Sequence, residues 1–434
     1  MTAILLMFNL FVLLTAYLVI KTVREALILS GGGAEVKSYA ASGQAFLLLL
    51  VVPWYGSVAS KVNRIKLINR VTLFFISHLF AFYMLAQLQV PLGVAFFLWV
   101  GIFNLLVIAQ FWAFANDLYT REQGERLFAI VAFGGALGAI LGPMLAGWLF
   151  GPLGAYQLML VAAALLAISI VITNAVNSRE NGRRQTDPAK ADTEAPLGKE
   201  GGFGLVLGHG YLFLIALLIV VLNLVNTTGE FVLGKTVAEE AKRAVVTAEQ
   251  QSVAVGDKSK LTSEQREKIV QAFIGKFYAD FFFWVSLVGA ALQLFLVSRV
   301  LKYVGVSGSL FFLPVISLAA YSLMAFVPIL GYIRLAKIFE NSTDYSLQNT
   351  ARQTLFLPTS REAKYKAKAA IDTFFVRMGD VLSAIVVFIG TYWLLNTKAF
   401  ATINVALVAV WLVLVAVIGR HYKRLTLAEV KTAA

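Results

Sequence analysis

ILLMFNLFVLLTAYLVI, Ile4–Ile20, carries no charged residue. At about 1.5 Å per residue, a helix through it and the turn that follows is long enough to cross a hydrocarbon core of about 30 Å. Stretches of the same character recur at about residues 4–30, 39–60, 67–89, 92–117, 125–151, 155–177, 206–234, 268–297, 303–327, 329–353, 366–396 and 399–419. The expected fold is therefore all-α: a polytopic membrane protein with twelve transmembrane helices in two six-helix bundles. Composition agrees, since 59% of the 434 residues are apolar and 14% charged, against about 45–50% and about 25% in soluble domains. A water-soluble globular protein is excluded.

The segment after the sixth span, SRENGRRQTDPAKADTEAPLGKEGG (Ser178–Gly202), is polar and rich in Pro and Gly, and it lacks apolar periodicity. It reads as a linker between the halves. The expected division is a first bundle over 1–177, a cytoplasmic linker over 178–205 and a second bundle over 206–434. That second bundle includes a partly helical extramembrane insertion, 235–267, with six acidic and six basic residues. A weak internal repeat supports two parallel halves. Ser60-Lys61-Val62 returns as Ser298-Arg299-Val300 and Arg121-Glu122 as Arg361-Glu362, at offsets of 238 and 240. In transporters built this way, sites lie near the midplane.

The net charge of +13 is explained by topology. Counted on alternate sides of the spans, 22 Lys and Arg fall on one side, while the short connections opposite supply only Lys37 and Lys398. The positive-inside rule then places both termini in the cytoplasm, with the chain in a bacterial inner membrane, and leaves nucleic-acid binding no part to explain. Without a basic leader region or a small-residue cleavage site, the first apolar stretch is expected to be a retained helix. Cysteine is absent and only His78, His209 and His421 occur, so no metal site or cofactor is expected. Scattered Ser, Asp and Lys make no nucleophile–base constellation, and the chain reads as a non-enzyme.

Ionisable groups inside spans are costly enough to be functional candidates. Lys21, Arg24 and Glu25 lie at i, i+3 and i+4 in the first span, a spacing that lets Lys21 pair with Glu25. Arg334, Lys337, Asn341, Asp344 and Gln348 form one polar stripe through the tenth span, with Glu340 beside it. Such a stripe faces protein or water, either as a pathway or as interhelical glue. Asn223, Asn226 and Glu230 in the seventh span, Lys276 and Asp280 in the eighth, and Asp372, Arg377 and Asp380 in the eleventh complete the set. Gly134, Gly138 and Gly142 recur at the interval that allows close helix packing. GEFVLGKT, Gly229–Thr236, satisfies a phosphate-loop pattern, but it ends a membrane helix with no strand before it and is read as coincidence.

Three stretches carry a resemblance: KTVREALILSGGGAE (Lys21–Glu35), FWAFAND (Phe111–Asp117) followed by Arg126-Leu127-Phe128, and DYSLQNTARQTLFLPTSREAKYKAKAAIDTFFVRMG (Asp344–Gly379). They resemble the ATP/ADP antiporter family of plastids and obligate intracellular bacteria. The resemblance implies a major facilitator-like exchanger of nucleotides across the bilayer, in which Arg24 and Arg352 stand where the carriers have lysines. The helix-four acid of those carriers falls at Val100, their seventh-helix Asn-Leu-Val-Glu reads Asn223-Leu224-Val225-Asn226, and a Lys-Glu pair becomes Arg352-Gln353. The expected substrate-binding set is Lys21, Arg24, Asn226, Lys337, Asn341, Asp344, Arg352 and Arg377. Glu25, Glu230, Asp280 and Asp380 are expected to pair with these cations and to gate. The expected partner is an anionic small molecule, a nucleotide, bound by a monomer in the lipid bilayer; the alternative is a transporter of another organic anion or a lipid.

Overall fold

The computed structural model describes residues 1–59, 62–119, 121–184, 201–254, 261–360 and 362–433; the expected linker lies outside them over 185–200. All regular structure among the described residues is helical: α1 (Thr2–Ala59), α2 (Arg64–Gln87), α3 (Gly93–Leu118), α4 (Arg121–Arg184), α5 (Gly202–Gly208), α6 (Gly210–Ala254), α7 (Ser263–Phe295), α8 (Val297–Tyr303), α9 (Gly305–Ser309), α10 (Phe312–Phe326), α11 (Leu330–Thr343), α12 (Asn349–Thr354), α13 (Lys368–Ala370), α14 (Val376–Tyr392) and α15 (Thr397–Ala433). Three π-helical turns, Asp344–Gln348, Ala363–Ala367 and Ile371–Phe375, interrupt the segment between α11 and α14.

Nine helices among the described residues are long and apolar enough to cross a membrane. Two are double. α1 is broken at Gly33 (φ 73°) and α4 at Gly154 (φ 78°), a left-handed backbone that glycine adopts without penalty, so each holds two arms. The expected tenth span, 329–353, is not among the nine. Its α-helical part, α11, has 14 residues and carries Arg334, Lys337 and Glu340 before the π turn begins.

The chain forms two compact units, Met1–Asp192 with Val237–Ser286, and Thr193–Thr236 with Leu287–Ala434. In the first unit, the row of glycines in α4 lies on the backbone of α1. A Cβ at Gly134, Gly138 or Gly142 would come within 2.0, 2.4 or 2.9 Å of the carbonyl oxygens of Met7, Phe11 and Thr15. Since lipid is as apolar as leucine, such close van der Waals contact, with interhelical hydrogen bonds, is what holds spans together. Asn9 supplies the bonds: its Nδ2 donates to Thr173 Oγ1 (2.8 Å) and its Oδ1 accepts from Ser169 Oγ (2.6 Å), both on the second arm of α4. Between α2 and α3 the rings of Phe75, Phe82, Phe96, Trp99 and Phe103 stack and abut edge to face.

The segment expected to be a partly helical insertion, 235–267, continues the helices on either side of it. α6 runs on to Ala254, α7 starts at Ser263, and Arg266 bridges to Glu249 at 2.7 Å. Moreover, Val237–Ser286 groups with the first unit, which differs from the expected 206–434 bundle. The packing gives the reason. Gly275 admits the ring of Phe150, whose nearest atom would lie 2.2 Å from a Cβ there, and Ile274, Tyr278 and Phe281 are fully buried.

In the second unit, residues 223–231 of α6 lock onto α14 and α15. Asn223 Nδ2 donates to the Val376 carbonyl (2.9 Å), the Thr228 and Ser383 hydroxyls are 3.0 Å apart, and Asn404 Nδ2 donates to the Val225 carbonyl (3.1 Å). The rings of Phe231 and Phe400 meet at 4.8 Å. The phosphate-loop look-alike, Gly229–Thr236, lies wholly inside α6, whose helical backbone offers no nest of amides.

Candidate functional site

Each unit holds a buried ionic cluster. In the first, Glu25 has 1% of its side chain exposed and is shared between two cations, Arg24 beside it in sequence and Lys37, whose Nζ lies 2.6 Å away. The break at Gly33 is what makes this possible. It ends the first arm of α1 and starts the second, so a lysine 12 residues along the chain returns to the carboxylate. The three cations of the region also rest on aromatic faces: Lys21 Nζ is 4.2 Å from the Phe282 ring, Arg24 is 4.7 Å from Phe97, and Lys37 is 5.3 Å from Tyr278. Cation–π contact in a desolvated setting is worth about 2 kcal/mol and leaves the cation's N–H groups able to donate at the ring's edge.

The expected Lys21–Glu25 pair is therefore corrected. Glu25 takes Arg24 and Lys37 as partners, because a residue's neighbour and a lysine folded back at a kink deliver two N–H donors to one carboxylate, while Lys21 lies over Phe282. Lys37, which the sequence assigns to an outer connection, is a member of the cluster. Val100, where the resemblance places an acid, is fully buried in the apolar core of the first unit.

The second cluster is built from α6, α10 and α11. Lys337, fully buried, has three N–H donors and three acceptors: Glu340 Oε2 at 2.7 Å, Asn226 Oδ1 at 2.9 Å and Glu230 Oε1 at 3.5 Å. Glu340 in turn accepts from Ser317 Oγ (2.9 Å) and Tyr321 Oη (2.9 and 3.0 Å), and Glu230 Oε1 from Asn341 Nδ2 (3.0 Å). Buried charges persist when paired and hydrogen-bonded in this way. Asn226, Glu230, Lys337 and Asn341 from the expected set thus come together. Glu340, which the sequence puts only beside the stripe, is the hub of the network, and Ser317 and Tyr321 are additions. Their signal in sequence is two hydroxyls at i and i+4 in a mostly apolar span.

The remaining candidates are placed separately. Asp380 accepts from Arg377 Nη1 (3.1 Å) and Thr227 Oγ1 (2.9 Å), next in sequence to Asn226. Asp344 begins the π turn and is half-buried, as is Arg352, which donates to Asn349 Oδ1 at 3.3 Å. Asp280 stands exposed on α7 beside an exposed Lys276. Asp372 meets Lys368 at 3.6 Å, one turn away on its own segment. Among the described residues no group of three or more His, Asp or Glu side chains is placed to hold a metal ion.

Solved structures share the fold. A bacterial homologue of the iron transporter ferroportin in its inward-facing state matches with TM-score 0.64 at 12% identity, covering 96% of this chain and 98% of its own. A POT family transporter in complex with 5-aminolevulinic acid gives 0.61 at 12% identity, over 98% of this chain and 96% of its own. The nucleoside transporter NupG, in a mutant form, gives 0.58 at 13% identity, over 98% of this chain and all of its own. In sequence, the chain is similar to ADP,ATP carrier protein 1 of Chlamydia trachomatis serovar D and of Chlamydia muridarum, each 24% identical over 322 residues. The match takes in 64% of this chain and 54% of each carrier, so the chain spans about half the length of the curated relatives it matches. The family model described as TLC ATP/ADP transporter matches residues 94–422, which include the second ionic cluster, the π-helical segment and Arg352. On that match, covering most of its length, the chain belongs to the TLC ATP/ADP transporter family.

Proposed function

We propose that the protein exchanges nucleotides of the ATP/ADP type across a bacterial inner membrane by alternating access, with both termini cytoplasmic and the monomer as the working unit. Family membership supports the substrate class. The structural observation that carries the reading is the carboxylate of Glu25, held by two cations, Arg24 and Lys37, inside a spanning helix. One buried carboxylate between two cations leaves the trio with a positive charge, which suits an anion. A phosphate group competes with Glu25 for the guanidinium of Arg24, which is shaped for bidentate contact with either. When substrate binds, Glu25 is released from Arg24; when it leaves, the ion pair re-forms. A conformational equilibrium biased by such an exchange of partners moves only with substrate aboard, which is the condition for obligatory exchange.

In this reading Arg352 is the phosphate-binding cation of the second unit. Arg377 is restrained by Asp380, and Asp344 is the carboxylate of the π turn that leads to Arg352. Lys337, with every N–H engaged, holds Asn226, Glu230 and Glu340 in place rather than meeting substrate.

Counter-exchange tests the proposal. Purified protein in liposomes preloaded with unlabelled ADP takes up labelled ATP, and empty liposomes do not. Folded, inserted protein that takes up no nucleotide under either condition overturns it, and competition with other organic anions and with lipids then identifies the cargo.

A further inference from the structure

Gln348 is 1% exposed, and neither Oε1 nor Nε2 has a hydrogen-bond partner. Both atoms of the Gln348 amide are fully enclosed and unmatched. Asn341, Asn404 and Gln110, each with an unmatched oxygen, donate through their nitrogen to Glu230, the Val225 carbonyl and Tyr55. Buried polar groups in folded proteins are nearly always paired, so a primary amide unmatched at both ends points to an external partner. Leu347 and Ala351 are both buried, and Leu347 packs on Val297 and Val300 of α8. Gln348 also closes the π turn Asp344–Gln348, in which the Asn349 N–H reaches back to the Asp344 carbonyl. Single π turns inside α-helices occur often at functional sites. One turn further along the same face, Arg352 carries a buried Nε that is likewise unmatched.

We propose that Gln348 reads the nucleobase of the transported nucleotide, its amide accepting from N6 and donating to N7 of adenine, while Arg352 one turn away meets a phosphate. The inference rests on the nucleotide-exchange reading above and adds the recognition of the base to it. The chemistry selects the base rather than the phosphate as the partner of Gln348. A phosphate offers acceptors only and would leave Oε1 of a buried amide unmet, whereas the N6/N7 edge of adenine presents one donor and one acceptor side by side, the complement of a primary amide. Guanine presents two acceptors on that edge. Arginine suits the phosphate, and its place one turn from the amide lets one nucleotide span both.

The test is base selectivity in counter-exchange, with ADP inside the liposomes and labelled ATP, GTP or CTP outside. Gln348→Glu replaces the N7 donor with a second acceptor, which matches the N4 amino group of cytosine. The ATP-to-CTP rate ratio should fall about tenfold or more, since a good bidentate pair with a base is worth about that much discrimination. Gln348→Met keeps the side-chain length, removes both functions and should bring the ratio towards one. Arg352→Gln should lower all three rates and leave the ratio where it was. Each ratio is measured within one preparation, so it is independent of how much protein folds, and either Gln348 variant suffices if the other does not insert. Wild-type ratios in both Gln348 variants would overturn the base-reading role and leave exchange standing. A wild-type protein that moves no nucleotide would overturn the exchange reading itself, and this inference with it.

Discussion

The hydroxyl of Tyr321 occupies the space that a side chain at Gly229 would fill: a Cβ there would lie 1.9 Å from it. That hydroxyl donates to Glu340, the hub of the second unit's network. The glycine that completes a false phosphate-loop pattern in sequence is thus a packing residue, which lets α10 bring a phenol to a buried carboxylate beside α6.

Gly229→Ala should therefore displace Tyr321 and unmake its bond to Glu340. We expect a loss of about 1–3 kcal/mol, the cost of leaving a buried polar group unmatched. Tyr321→Phe, which removes the hydroxyl without a clash, should cost less than Gly229→Ala. Thermal unfolding of the purified protein in detergent checks both, and equal or inverted losses would show that Gly229 is not there for Tyr321.

Lys337→Met should be among the most damaging single substitutions outside any substrate contact. It strips the partner from buried Glu340 and from Glu230, and breaking a buried pair on one side costs about 3–5 kcal/mol. Adding Glu340→Gln to Lys337→Met should recover part of the loss, because the remaining group no longer has to be buried charged. A double-mutant cycle on unfolding midpoints measures the coupling; simple additivity would mean the two do not act as a pair.

Glu25→Gln should tighten substrate binding and slow exchange. If Glu25 competes with phosphate for Arg24, weakening the competitor lowers KM, while the empty carrier loses the ion pair that completes its cycle and kcat falls. Arg24→Gln should abolish exchange in folded protein. The initial rate of ATP uptake against ATP concentration separates the two effects, and a Glu25→Gln protein with unchanged KM would remove the competition from the mechanism.

Gly138→Leu should abolish assembly of the first unit, since even a Cβ at this position would meet the Phe11 carbonyl oxygen at 2.4 Å. Gly138→Ala should cost about 1–3 kcal/mol, as overpacking of a tight contact usually does. The yield of monodisperse protein and its unfolding midpoint report both.

Arg64 and Asp117 make an ion pair with 45% and 47% of their side chains exposed. Replacing both with Gln should change stability by no more than about 1 kcal/mol, as exposed pairs do. Equal unfolding midpoints for wild type and the double variant check the contrast with Lys337.

The sequence was most legible where the physics is local. The run Ile4–Ile20 and its later counterparts declare spans because insertion depends on the summed hydropathy of consecutive residues. The stripe at 334–348 was legible for the same reason: helical spacing alone puts Lys337 and Asn341 on one face. The pairing of Lys37 with Glu25 was not. It depends on a left-handed residue at Gly33, and a glycine among three in a row does not say which of them bends. Gln348 was visible as one more polar residue of the stripe, but its isolation from every partner is a property of its surroundings.

What the sequence determined by itself was the solvent and the secondary structure: an all-helical membrane chain, its apolar runs and the charges that must avoid lipid. Those follow from composition over windows of about 20 residues, the thickness of the bilayer in helical rise. What only the tertiary structure decided was which charge meets which, that the stretch after the seventh span builds onto the first unit, and which polar side chain is left without a mate. A buried ion's stability depends on a few atoms within hydrogen-bond reach, and those atoms come from helices as far apart in the chain as Asn226 and Lys337.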